Sequence, residues 1–121
     1  MAIQLSSAYH NRQKSRQDAD TNQPVSFKRS ELAVILETYR RMVAAGEWRD
    51  YGISNLARSA VFSVYRNASG QPLYRIEKRP MRASRRNVYL IISMDNRIVR
   101  HGHDLHLVMR YFDRNLFRIV A

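Results

Sequence analysis

Cysteine is absent from the 121-residue chain. That excludes disulfides, a thiolate nucleophile and any cysteine-held metal or cluster. Glycine occurs only four times and proline three times. Little is left for a phosphate-cradling loop, and no G-x-x-x-x-G-K-[ST], G-x-G-x-x-G or G-x-S-x-G is present. No apolar run approaches the roughly 18 residues that a membrane helix needs, so no membrane span is expected. Acidic residues are scarce: 10 Asp and Glu stand against 21 Lys and Arg, a formal charge of +11. What remains is ordinary for one globular domain, with 45% hydrophobic and 26% charged residues.

The chain divides by composition near residue 24. Residues 1–24 are rich in Gln, Ser, Asn, Arg and Asp, with Ile3, Leu5, Ala8 and Tyr9 among their few apolar side chains. Such a segment buries too little to offset an ordering cost of about 1–2 kcal/mol per residue, so it is expected to be a disordered basic tail. It has no apolar stretch of the secretory type. Its acid-poor start, with Arg12, Lys14 and Arg16 before Asp18, shares features with transit peptides, but the apolar spacing is too sparse for an amphipathic helix.

Residues 25–121 are expected to form a single α+β domain: a small antiparallel sheet of four to six strands with two helices packed on one face. Val25–Lys28 alternates like a short strand. Ser30 suits an N-cap, and Leu32, Ile35, Leu36, Tyr39, Met42 and Val43 trace one helical face over residues 31–45, with Gly46 as the stop. Residues 60–66 and 73–78 predict a hairpin around the Asn67–Pro72 turn, with Pro80 ending the second strand. Residues 81–87 read as an Arg-rich loop, 88–94 as the most apolar and therefore central strand, and 98–100 as a strand turning back after Asp95–Arg97. Leu105, Val108, Met109 and Phe112 predict a second helix capped by Asp104 or His103. Leu116–Val120 reads as a last strand.

Between residues 75 and 100 the basic side chains are Arg75, Lys78, Arg79, Arg82, Arg85, Arg86, Arg97 and Arg100, opposed only by Glu77 and Asp95. Lysine is the minor base, at Lys14, Lys28 and Lys78. Guanidinium groups fork onto phosphates and carboxylates and stack on bases. These eight residues are the candidate polyanion-binding set, with RNA or DNA as the expected partner and an acidic protein as the alternative. Tyr65, Tyr74 and Tyr89 lie on the neighbouring strands, and on an open face they would offer stacking platforms for single-stranded nucleic acid. The competing view is a solvated basic surface over a core that absorbs the tyrosines.

His101, His103 and His106 surround Asp104. The string is similar to the H-x-H-x-D-H motif of metallo-β-lactamase-like hydrolases, but here Asp follows His103 directly and Leu105 intervenes before His106. The remaining histidine is His10 in the tail, and the chain is too short for that fold. No metal or other cofactor is expected; the three histidines are the side chains that could hold a metal. Asp104 as a cap, Gly102 as a bend and a solvent-facing His106 account for the string more simply. Glu31, Glu37, Glu47, Asp50, Glu77, Asp95, Asp104 and Asp113 assemble with no nucleophile into a recognisable catalytic set. Trp48–Tyr51 follows the first helix, where Trp48 is expected to pack the helix exit onto the sheet. The expectation is a non-enzymatic binding module.

The strings AVFSVYR (60–66), PLYRIEKRP (72–80) and YLIISMDNRIVRHGHDL (89–105) resemble a family of small basic bacterial proteins catalogued as a domain of unknown function. The likeness spans about residues 25–114. It implies a stand-alone cytoplasmic protein and supplies no catalytic residue or cofactor.

Overall fold

In the computed structural model, which describes residues 23–67 and 70–120, the first apolar stripe forms helix α1 (Arg29–Ala44). The helix begins after Lys28, two residues before the expected Ser30 cap. Glu31 secures the start, because its Oε1 accepts the Lys28 backbone N–H at 2.7 Å, one half of a capping box. The other end closes as a Schellman turn: the Glu47 N–H donates to the Met42 carbonyl and the Gly46 N–H to that of Val43, each at 2.9 Å. Gly46 adopts φ +79°, which explains glycine there.

Five antiparallel strands follow, β1 (Asp50–Asn55), β2 (Ala60–Tyr65), β3 (Tyr74–Met81), β4 (Arg86–Ser93) and β5 (Ile98–Gly102), side by side in chain order. Helix α2 (Leu105–Val120) completes an α+β fold. Several expectations are corrected. Residues 25–28 form no strand; Val25 makes a single backbone bond to the Leu56 carbonyl, and Phe27 is buried. Strand β1 lies in a segment whose composition predicts no strand. The chain from Leu116 to Val120 is helical, not a strand. β4 is interior, but the middle position belongs to β3. Pro80 lies within β3, paired with Asn87. Strand β2 stops opposite Lys78, so the donor that proline lacks would have faced no partner. The proposed tail lies outside the described residues, apart from Gln23 and Pro24.

Register sorts the side chains by face. Ile53, Phe62, Ile76 and Ile91 lie across from one another, and all belong to or pack on the core, which also takes Ile35 and Met42 from α1 and Val108, Met109 and Phe112 from α2. Both helices therefore cover this face. Trp48 is 1% exposed and meets Phe112 edge-on at 4.9 Å, closing the α1 exit against α2. Tyr51 stacks on Phe62 at 4.8 Å, which anchors β1. The opposite pleat carries Val61, Glu77 and Leu90 in one row and Ser63, Arg75 and Ile92 in the next.

Candidate anion-binding interface

Strand directions bring several charged segments to one end of the sheet. The β1–β2 turn with Arg58, the β3–β4 turn and the end of β5 all lie there. So does the start of α1, tied to β3 by Lys78, and the start of α2, which follows β5 directly. Each of these helix N-termini is already met by a carboxylate of this chain, Glu31 on α1 and Asp104 on α2. Lys28, Arg29, Arg58, Arg79, Arg82, Arg85 and Arg86 are all exposed at this end.

The β3–β4 hairpin extends past its neighbours. β2 pairs no further than Lys78 and β5 no further than Tyr89. The pairs Arg79–Val88, Pro80–Asn87 and Met81–Arg86 therefore form a two-stranded ribbon beyond the last paired neighbours, with Asn87 and Val88 half-buried and the Asn87 carbonyl met by the His103 ring. Its turn, Arg82–Arg85, closes with the Arg85 N–H donating to the Met81 carbonyl at 2.9 Å. Arg85 sits at φ 56°, the left-handed conformation that a loop of this length needs at its last position. Among the described residues no carboxylate lies within ion-pair distance of Arg82, Arg85 or Arg86.

The other candidates are partly or wholly engaged. Glu77 holds Arg79 at 2.8 Å and Arg75 at 3.6 Å on the face away from the helices. Arg75 also donates to Asn96. Arg97 lies at the opposite end of the sheet, 3.8 Å from Asp95. Arg100 turns to α2, donating to the Leu107 carbonyl and lying over the Tyr111 ring. Lys78 is buried: its Nζ donates to Glu31 Oε1 and to the Ser26 carbonyl, each at 2.9 Å. It fastens α1 to the sheet and cannot meet an external anion.

Two of the three tyrosines are likewise withdrawn. The Tyr89 hydroxyl donates to Glu31 Oε2, and burial followed by that bond pushes its pKa up to about 12. Tyr74 packs edge-on against Phe112 at 5.0 Å, and burial followed by its bond with Tyr111 pushes it to about 12. Tyr65, opposite Asp50, lies at the far end of the sheet. None of these three tyrosines offers a stacking platform beside the basic ribbon.

The histidines diverge. His101 is exposed on β5, His106 is exposed on α2, and the His103 Nδ1 lies 2.8 Å from the Asn87 carbonyl. Among the described residues no three His, Asp or Glu side chains gather to hold a metal. Asp104 caps α2, its Oδ1 accepting the Leu107 N–H at 3.3 Å. Gly102 serves close packing instead of a bend: a Cβ there would stand 3.3 Å from Val108 Cγ2.

Fold and geometry define a small α+β protein with a cationic ribbon projecting from one end of its sheet. The chain belongs to the family described as protein of unknown function (DUF2794), which matches residues 25–109. No curated protein and no solved structure matches it. No helix among the described residues is long and apolar enough to cross a membrane.

Proposed function

We propose that this protein is a non-enzymatic, cytoplasmic nucleic-acid-binding module whose contact surface is the basic end of the sheet. The observation that carries this reading is the projecting β3–β4 ribbon with Arg82, Arg85 and Arg86 exposed at its tip. Arg79, Arg58, Lys28 and Arg29 flank it. Phosphates bind such a surface by displacing condensed counterions, so affinity falls steeply with salt.

The test is fluorescence anisotropy with labelled oligonucleotides across a salt series. Each phosphate contact contributes about 0.9 to the log–log slope, so a steep slope is expected. Replacing Arg79, Arg82, Arg85 and Arg86 by Ala should abolish most binding. A quadruple variant that binds as tightly as wild type would overturn the assignment. A partner that copurifies unchanged after nuclease treatment, with no oligonucleotide binding, would assign the surface to an acidic protein instead.

A further inference from the structure

The nucleic-acid reading leaves open which form of nucleic acid the ribbon fits. Resting on that reading, we infer that the ligand is double-stranded DNA in its B form, with the β3–β4 ribbon seated in the major groove.

Shape is the first argument. Three residue pairs project beyond the neighbouring strands, a reach of about 10 Å at roughly 3.3 Å per residue before the turn is added. The strands of a ribbon stand about 4.8 Å apart. With side chains, such a ribbon matches a major groove about 12 Å wide and about 8.5 Å deep. The tip is narrow, because Ala83 and Ser84 separate Arg82 from Arg85. Arginine is also the side chain that reads the O6 and N7 edge of guanine with two hydrogen bonds. Arg86 beside the turn and Arg58, Lys28 and Arg29 on the shoulders of the sheet are placed to meet the flanking backbones.

The second argument is what the ribbon lacks. Single-strand binders stack bases on exposed aromatic rings. No aromatic residue occurs between Arg79 and Val88. Tyr74 and Tyr89, the nearest on these strands, face the helices. Duplex RNA fits no better, since its major groove is too deep and narrow for side chains to read.

Three probes of equal length and matched sequence distinguish the possibilities: a DNA duplex, an RNA duplex and single-stranded DNA. The full-length protein should bind the DNA duplex at least about tenfold tighter than either alternative. The paired substitution Arg82→Ala and Arg85→Gly, which keeps the turn conformation accessible, should weaken that binding at least about tenfold. Wild type should protect guanine N7, which lines the major groove, from dimethyl sulfate, and the variant should not. Circular dichroism of the variant verifies its fold. Equal or tighter binding of RNA or single strands overturns the duplex assignment while leaving the nucleic-acid reading intact. Preference for duplex DNA with an unaffected variant overturns the placement of the ribbon. Failure to bind any of the three overturns both readings.

Discussion

Lys78→Met takes one charge from a buried site that holds two. The Lys78 and Glu31 side chains are 7% and 10% exposed, so water cannot replace the lost ammonium. Glu31 would keep its bonds from the Tyr89 hydroxyl and the Lys28 N–H, but the Ser26 carbonyl would lose the donor it has now. Stranding one member of a buried pair costs about 3–5 kcal/mol, a large share of the roughly 5–15 kcal/mol that holds a domain folded. Urea unfolding followed by circular dichroism at neutral pH measures this. Lys78→Met combined with Glu31→Leu should cost less than the two single changes added together, by at least about 1 kcal/mol, because the double variant strands no charge. A Lys78→Met loss below about 1 kcal/mol, or additive single and double losses, would refute the argument. Acid supplies a second measurement. Burial pushes the Glu31 carboxyl up, but bonds from Tyr89, Lys78 and the Lys28 N–H outweigh it, and the net shift is downward from 4.5. The unfolded chain therefore takes up this proton at higher pH than the folded one. The associated stability is present above pH 4.5 and is lost as pH falls through the lower folded value. Glu31→Gln should flatten that limb.

Gly46→Ala meets open space but must hold φ +79°; it should lower stability by about 1–2 kcal/mol with no change in nucleic-acid affinity, read by thermal melting and anisotropy. Gly102→Ala places a methyl 3.3 Å from Val108, a side chain 2% exposed on α2; a loss of about 1–3 kcal/mol is expected, and an unchanged melting temperature would mean that α2 yields freely. At alkaline pH, Tyr89 ionises near 12 in the fold against 10.0 when unperturbed. Stability should fall between those values, and Tyr89→Phe should make the fall shallower, with Tyr74 supplying part of what remains. Trp48→Ala should cost about 3–5 kcal/mol, because its ring fills the junction of α1 and α2 against Tyr39 and Phe112.

Elements with strong local periodicity were legible from residue spacing: α1, the β2–β3 hairpin and the start of α2. The missed strand β1 reads Asp-Tyr-Gly-Ile-Ser-Asn, a loop by composition. Its signal was the alternation of Tyr51 and Ile53, which matters only once β2 offers Phe62 and Val64 as partners. Leu116–Val120 has strand composition, yet Leu116 and Ile119 continue the spacing from Leu105, Val108, Met109 and Phe112. A helix already begun extends more readily than a new element nucleates. Pro80 misled because its cost depends on whether a neighbouring strand needs the missing donor, and the extent of β2 is not a local property.

The candidate site was legible in its location but not in its membership, and the pleat explains the difference. Charge counting treats Arg75 through Arg100 as one population. Alternation does not: Lys78 shares its parity with Tyr74 and Ile76, which are core-facing, whereas Arg75, Glu77 and Arg79 share the other. A lysine in the apolar register must find a buried anion or destabilise the strand. Its partner, Glu31, lies 47 residues away, so the parity was readable but the pairing was not. On the other face Glu77 sits between two arginines and moderates both. Between residues 75 and 100 the arginines without an ion-pair or hydrogen-bond partner among the described residues gather where the strands outrun their neighbours and the alternation ends. That is the four-residue turn, where Arg82 and Arg85 with the adjoining Arg86 face solvent, and it is why the ribbon tip, instead of the whole segment from 75 to 100, is the surface to mutate first.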